Sequence, residues 1–203
     1  FTMLEYGLGT GDNPVFKGVY DFSLLVLGAT LLGAELIRSG QADVVFSPVG
    51  GLHHAGYAHA EGFCYVNDIA VAVIQLLKRG LRVAFVDIDA HHGNGVQDAF
   101  YGDDRVLVIS FHQNGRDIYP WSGFENEIGE GRGKGFTVNV PLPAGTDDEI
   151  FEGAFQEIVP PRSAVWFALS SSRQSVKVSL ERGMSAFTWA AAKASRISTA
   201  SPR

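Results

Sequence analysis

Residues 82–95 read RVAFVDIDAHHGNG, an apolar run that empties into two carboxylates and two histidines. Short apolar residues from Val83 to Val86 fit a strand covered on both faces. Polar chemistry directly after such a strand matches the carboxyl edge of an open α/β sheet, where active sites gather. Asp87, Asp89 and His91 are spaced by two, so on an extended segment they would project to one side. Two carboxylates and an imidazole converging on one pocket suit a borderline cation such as zinc. The bland alternative is a satisfied polar strand end.

Outward from this stretch the pattern alternates. Tyr20 to Arg38 is apolar at helical spacing and stops at Ser39-Gly40. Asp43 to Phe46 reads as a short buried strand that runs into the loop Ser47-Pro48-Val49-Gly50-Gly51. Asn67 is positioned to cap a helix reaching about Arg79, closed by Gly80. After the strand at 82–88 come a short helix over 95–101 and a strand over 105–111. A long Gly-rich charged loop over 113–135 reads as an active-site wall. Within it GEGRGKG (129–135) lacks the strand-then-helix context of a phosphate loop. Phe136 to Val140 alternates as a strand, and Asp147 to Ile158 reads as a helix with an acidic first turn. Strands alternating with helices predict a doubly wound, mainly parallel sheet.

The chain has 203 residues, enough for one α/β domain with a substantial core. A single cysteine excludes a disulfide framework and points to a reducing, cytoplasmic setting. No continuous apolar run long enough for a membrane span is present, and no signal peptide is visible. Residues 1–161 carry nine Lys/Arg against 21 Asp/Glu, whereas 162–203 carry seven against one, with ten serines. The acidic body suits a basic, lysine-bearing substrate rather than direct nucleic-acid binding. Oligomeric state is not legible.

Two further loops carry chemistry. GGLHHA places His53 and His54 side by side after a Gly-Gly turn, and imidazole is a base near neutral pH. Taken alone, they are also readable as two incidental loop histidines. EGFCYVND places Phe63 and Tyr65 beside the site; Phe63 alone is more often core, and Cys64, next to the pocket, reads as a small buried residue.

In this order and spacing, YGLGTGDNPVF, GGLHHA, GFCYVNDIAVAV, VDIDAHHGNGVQDAFY, VLVISFH and VNVPLPAGTDD resemble the histone deacetylase family. That family includes the bacterial acetoin-utilisation and acetylpolyamine deacetylase branches, and the resemblance covers about Tyr6 to Pro160. It implies an arginase/deacetylase-like α/β fold of three layers and hydrolysis of acetylated amines with zinc activating water. The resemblance assigns Asp89 and His91 as two zinc ligands. It makes His53 and His54 the pair that handles the proton, with Asp87 behind His53 and Asn94 behind His54. Some members have Asp at the Asn94 place, and Asn should make the His54 imidazolium less favoured. Phe63 and Tyr119 would wall a narrow acyl-amine channel lined by Gly62, with Asp12 holding substrate backbone at its rim. A structural potassium ion would use Asp87, Asp89 and His91 with Ser110 and Phe111. A second would use carbonyls near Phe100, Asp103, Val106 and Phe136.

Two family features have no counterpart. The third zinc ligand is an aspartate in a later Gly-x-Asp context, and the oxyanion stabiliser is a still later tyrosine. After Asp148 the only carboxylates are Glu149, Glu152, Glu157 and Glu181, and no tyrosine follows Tyr119. The expected organisation is thus a partial catalytic domain over 1–161, incomplete at both ends, without sheet strands after Pro161. A basic Ser/Ala-rich tail over 162–203 follows. A shifted frame through Trp166 to Arg173 can yield V-R-P-Q-L-V-A, close to a family strand, so the tail is read as a frameshift product. The alternative is a genuine C-terminal helix such as Ser185 to Ile197. The leading function is a zinc-dependent deacetylase fragment acting on acetyl-lysine proteins or acetylated polyamines, impaired by those losses. Beside it stand a catalytically dead acetyl-lysine-binding module and an arginase-like two-metal ureohydrolase.

Overall fold

The computed structural model describes residues 2–168, 175–183 and 187–194, with side chains through Ser163. In chain order the elements are α1 (Val19–Arg38), β1 (Val44–Ser47), α2 (Asp68–Lys78), β2 (Arg82–Asp87) and α3 (Asn94–Phe100). There follow β3 (Val106–Gln113), β4 (Thr137–Leu142), α4 (Asp148–Ala168), β5 (Ser175–Gly183) and β6 (Phe187–Ala194). The six strands form one sheet in the order β1-β6-β5-β2-β3-β4. β2 runs parallel to β3 and β5, and β3 parallel to β4, while β6 is antiparallel to both β5 and β1.

Both faces of β2 are covered, as its unbroken apolar run requires. Val83 and Phe85 pack with Ile37 of α1, Ile69, Val73 and Leu76 of α2, and Val96 of α3. Ala84 and Val86 face the other way, with Leu107, Ile109 and Phe111 of β3 against Phe151, Phe155, Ile158 and Val159 of α4. Each large apolar side chain buried this way contributes roughly 1.5–3 kcal/mol. The result is three layers: α1, α2 and α3, then the sheet, then α4. β2 is an interior strand, and its C-terminal end opens between the layers.

Local signals explain the helix ends. The Asn67 side chain accepts the Ala70 N–H at 2.9 Å and starts α2. Gly80 follows that helix with φ 77°, a conformation open to glycine at no steric cost.

Several expectations need correction. The strand reaches only Asp87 rather than 88, because carboxylates take over the backbone donors. Asp87 Oδ1 accepts the Asp89 N–H at 3.0 Å, and Asp89 Oδ1 accepts the His91 N–H at 2.8 Å. Side chains that bond backbone two residues ahead favour turns over ladders. Asp89 and His91 therefore meet through a turn, not through strand alternation.

The helix expected to stop at Ile158 continues as α4 to Ala168 and carries Pro160 and Pro161 inside it. Both prolines face solvent, while the flanking Val159 and Ser163 are buried. Packing on both sides of the proline pair carries the helix past the break. The proposed tail boundary at 161/162 falls within this helix. Strands do follow Pro161, since β5 and β6 join the sheet, and 187–194 is strand rather than part of a helix over 185–197. The rest of the tail lies outside the described residues.

α1 is long and apolar enough, by length and composition, to cross a membrane, although no continuous apolar run had suggested one. In this fold one of its faces is inward, with Ser23, Val26, Thr30, Gly33 and Ile37 buried.

Candidate active site

The start of α2 builds the floor of the site. Asp68 is fully buried, and its carboxylate accepts the Thr30 hydroxyl at 2.6 Å and the Leu52 N–H at 2.8 Å. It also accepts the Gly51 N–H at 3.0 Å. The Asn67 amide donates to the Ala55 carbonyl at 2.9 Å. Two consecutive residues at one helix start thus pin the loop that carries His53 and His54. Gly95 at the start of α3 closes the same contact, because a Cβ there would lie 2.4 Å from the Ala55 carbonyl oxygen.

The two histidines meet through their Nε2 atoms, 3.1 Å apart. On its far side His53 Nδ1–H donates to Asp87 Oδ2 at 2.7 Å, and His54 Nδ1 lies 2.7 Å from Asn94 Oδ1. Asp87, His53, His54 and Asn94 form one chain of polar contacts, buried from Asp87 through His54 and half-buried at Asn94. Burial opposes charge on His53, but the carboxylate of Asp87 outweighs it and raises the imidazolium above its usual range. Burial first, then the charge of His53, lowers His54 to about 3. His54 is therefore neutral at neutral pH.

Asp89 and His91 sit beside this chain, with Asp89 Oδ1 and His91 Nδ1 3.1 Å apart. Burial opposes ionisation of Asp89, yet the hydrogen bond from His91 and neighbouring positive charge pull its carboxyl down to about 2. An ionised carboxylate and an imidazole nitrogen facing each other form a fitting pair of zinc donors. Among the described residues, no group of three or more His, Cys, Asp or Glu is arranged to hold a metal ion. Among the described residues the donor set is thus this pair alone.

Tyr119 covers the pair, its ring edge-on to His54 at 5.1 Å between centroids and 6.3 Å from His91. Its hydroxyl donates to Glu61 Oε1 at 2.5 Å, and burial, followed by that carboxylate, raises the phenol above its usual range. Gly62 has φ 53°, and a Cβ there would lie 2.6 Å from His54 Cδ2 and 3.0 Å from the Tyr119 hydroxyl. Only a glycine leaves that gap open. Phe63 is 70% exposed, so it is not a core residue. Cys64 is buried, and burial pushes its thiol up to about 12, which leaves it inert. Asp12 lies on an exposed loop whose neighbour Asn13 donates to the Cys64 carbonyl at 3.2 Å. The rim loop is thereby tied to the Phe63 loop. Asp87 and Ser110 are register partners on β2 and β3, with Phe111 next along β3.

Three features were not foreseen. Asp68 carried no motif of its own, and Glu61 stood as a loop residue. The third is a buried network behind His91. His92 Nδ1 faces the Ser122 hydroxyl at 2.8 Å, and His92 Nε2 donates to Gln97 Oε1 at 3.0 Å. Gln97 donates to Glu127 at 2.6 Å, and Glu127 also accepts the N–H groups of Gly123 and Phe124. This network fastens the loop that bears Tyr119. A polar residue every few positions in 113–135 was its only sequence signal.

A family model described as "Histone deacetylase domain" matches residues 2–167. Histone deacetylase clr6 of Schizosaccharomyces pombe is 45% identical over 156 residues, which cover 77% of this chain and 38% of the relative. Histone deacetylase 1 of Homo sapiens is 45% identical over 157 residues, covering 77% of this chain and 32% of the relative. The chain thus spans about a third of the length of these curated relatives. The crystal structure of an HDAC homolog from Aquifex aeolicus superposes with a TM-score of 0.73 at 37% identity, over 84% of this chain and 45% of that one. An HDAC homolog complexed with SAHA gives the same TM-score, identity and coverage.

Proposed function

The chain belongs to the histone deacetylase family, and from that premise we propose that it supplies the proton-handling half of a zinc-dependent hydrolysis of acetylated amines. The substrate class is acetyl-lysine in proteins or acetylated polyamines, with acetate released. One observation carries this reading: the Asp87–His53–His54–Asn94 chain stands beside Asp89 and His91, with Tyr119 above.

Asp89 and His91 would hold zinc, which when bound supplies Lewis acidity to the acetyl carbonyl. The chain's own residues do the rest. The His53–His54 pair would handle the proton of an attacking water, with His54 its neutral member. The same pair returns a proton to the amine, a poor leaving group unless protonated. Tyr119 and Phe63 flank the aliphatic stem, with Gly62 leaving room for it and Asp12 at the rim. A potassium ion between the ends of β2 and β3 would use Asp87, Ser110 and Phe111.

Turnover by this chain alone is proposed to be very slow or nil, because the described residues supply two zinc donors rather than three. The geometry equally favours a second reading, an acetyl-lysine-binding module without turnover, since the channel groups do not require the third donor. A fluorogenic acetyl-lysine assay with metal analysis separates these. Stoichiometric zinc with rapid hydrolysis overturns the impairment; saturable binding of an acetyl-lysine peptide without hydrolysis supports the module. Failure to bind acetylated peptide, with or without zinc, overturns both.

A further inference from the structure

We infer that Glu61 is a positioning residue: its carboxylate fixes which way the Asn94 amide faces, and through it which nitrogen of His54 carries the proton. The inference rests on the proton-handling role proposed for His54. Glu61 Oε1 receives two donors, the Tyr119 hydroxyl at 2.5 Å and the Asn94 Nδ2–H at 3.2 Å. An ionised carboxylate has only acceptors, so the amide nitrogen of Asn94 must face it. The amide oxygen is then the atom turned to His54 Nδ1, at 2.7 Å. That oxygen can only accept. His54 is thus held with hydrogen on Nδ1 and a lone pair on Nε2.

Asp87 acts in the same sense on the other ring. It is fully buried, accepts only, and requires a hydrogen on His53 Nδ1. With both Nδ1 atoms protonated, the 3.1 Å Nε2–Nε2 contact closes only around one further proton, donated from one ring to the other. Asp87 needs no help in this, because both carboxylate oxygens accept. Asn94 does need help, because an amide turned over would present N–H to His54. Glu61 removes that ambiguity. Its own backbone is held by reciprocal hydrogen bonds with Cys64, at 3.0 and 2.8 Å.

The test is long-range proton–nitrogen NMR on the full chain labelled at histidine nitrogen, at a pH where His54 is neutral. The wild type should show one His54 tautomer, with Nδ1 of the protonated type and Nε2 of the unprotonated type. Glu61→Leu and Glu61→Ala should both lose this single pattern, and two variants guard against one failing to fold. Tyr119→Phe should keep it, since the Glu61–Asn94 bond remains. Adding Asn94→Asp to either Glu61 variant should restore it, because a carboxylate has no wrong way round. A single unchanged tautomer in a folded Glu61 variant overturns the inference, as does failure of Asn94→Asp to restore it. Tautomers are read whether or not the chain hydrolyses anything, so the proposed reaction can fail separately.

Discussion

Two pairs of buried histidines lie within one molecule, and they are wired oppositely. His53 and His54 have ring centroids 4.1 Å apart and turn their Nε2 atoms toward each other. His92 and His112 lie 4.9 Å apart, but every ring nitrogen is matched to a separate partner. Those partners are Ser122 and Gln97 for His92, and Ser110 and the Gly123 carbonyl for His112. The first pair faces nitrogen to nitrogen, a contact that closes only around a proton held between its members. The second pair has its bonds fully taken, and so holds a loop in place. Burial alone does not separate catalysis from architecture; what each nitrogen faces does.

The largest expected effect comes from breaking the first pair at its anchor. Asp87→Ala leaves His53 and the Asp89 N–H without their buried acceptor, and should cost about 3–5 kcal/mol in urea unfolding. A loss below 1 kcal/mol would mean that the carboxylate does not anchor the pair. Next, the adjacent residues His91 and His92 should part company. His92→Ala empties a buried site and strands Gln97 and Ser122, costing about 2–4 kcal/mol. His91→Ala should stay within about 0.5 kcal/mol in the metal-free protein while weakening zinc binding in titration calorimetry. Equal losses at both positions would erase the contrast.

The third effect is on pH dependence. Burial, then the charge of His112, lowers His92 to about 4 from an ordinary 6.5. The unfolded chain then binds the proton more readily, so stability is full above about pH 6.5 and declines as pH falls toward 4. The steepest decline is about 1.4 kcal/mol per pH unit for each such histidine. His54, lowered to about 3, adds in the same direction. His53 opposes them: its raised value gives stability that is complete below 6.5 and lost as pH rises through that raised value. Denaturant midpoints across pH 4–7 should fall toward acid, and His92→Gln should flatten the curve. The smallest effect belongs to Phe63→Ala, which should leave stability within about 0.5 kcal/mol yet weaken acetylated-peptide binding measured by fluorescence anisotropy.

The sequence shows some of this plainly and hides the rest for a physical reason. β2 and β3 are legible because strands buried on both faces read as unbroken apolar runs. The start of α2 is legible because Asn67 caps it within four residues. The members of the first histidine pair, with Asp87, Asp89, His91 and Asn94, stand in two short segments whose spacing is itself informative. Glu61, Asp68 and the His92–Ser122 contact act across gaps of 16 to 58 residues, and no local pattern records such partners. The far end of α4 is hidden differently, because local proline chemistry argues for a stop that tertiary packing overrides.

The buried Asp68 has one further consequence. It ties the histidine loop to α1 and α2, whereas Asp89 and His91 issue from the end of β2. The site is therefore a seam between a helical layer and a sheet, stitched by the His53–Asp87 bond. A partial opening that separates those layers would dismantle the chemistry long before the molecule unfolds. In hydrogen exchange, the amides of Gly51 and Leu52 would stay protected through such an opening, since the carboxylate holding them belongs to the helical side.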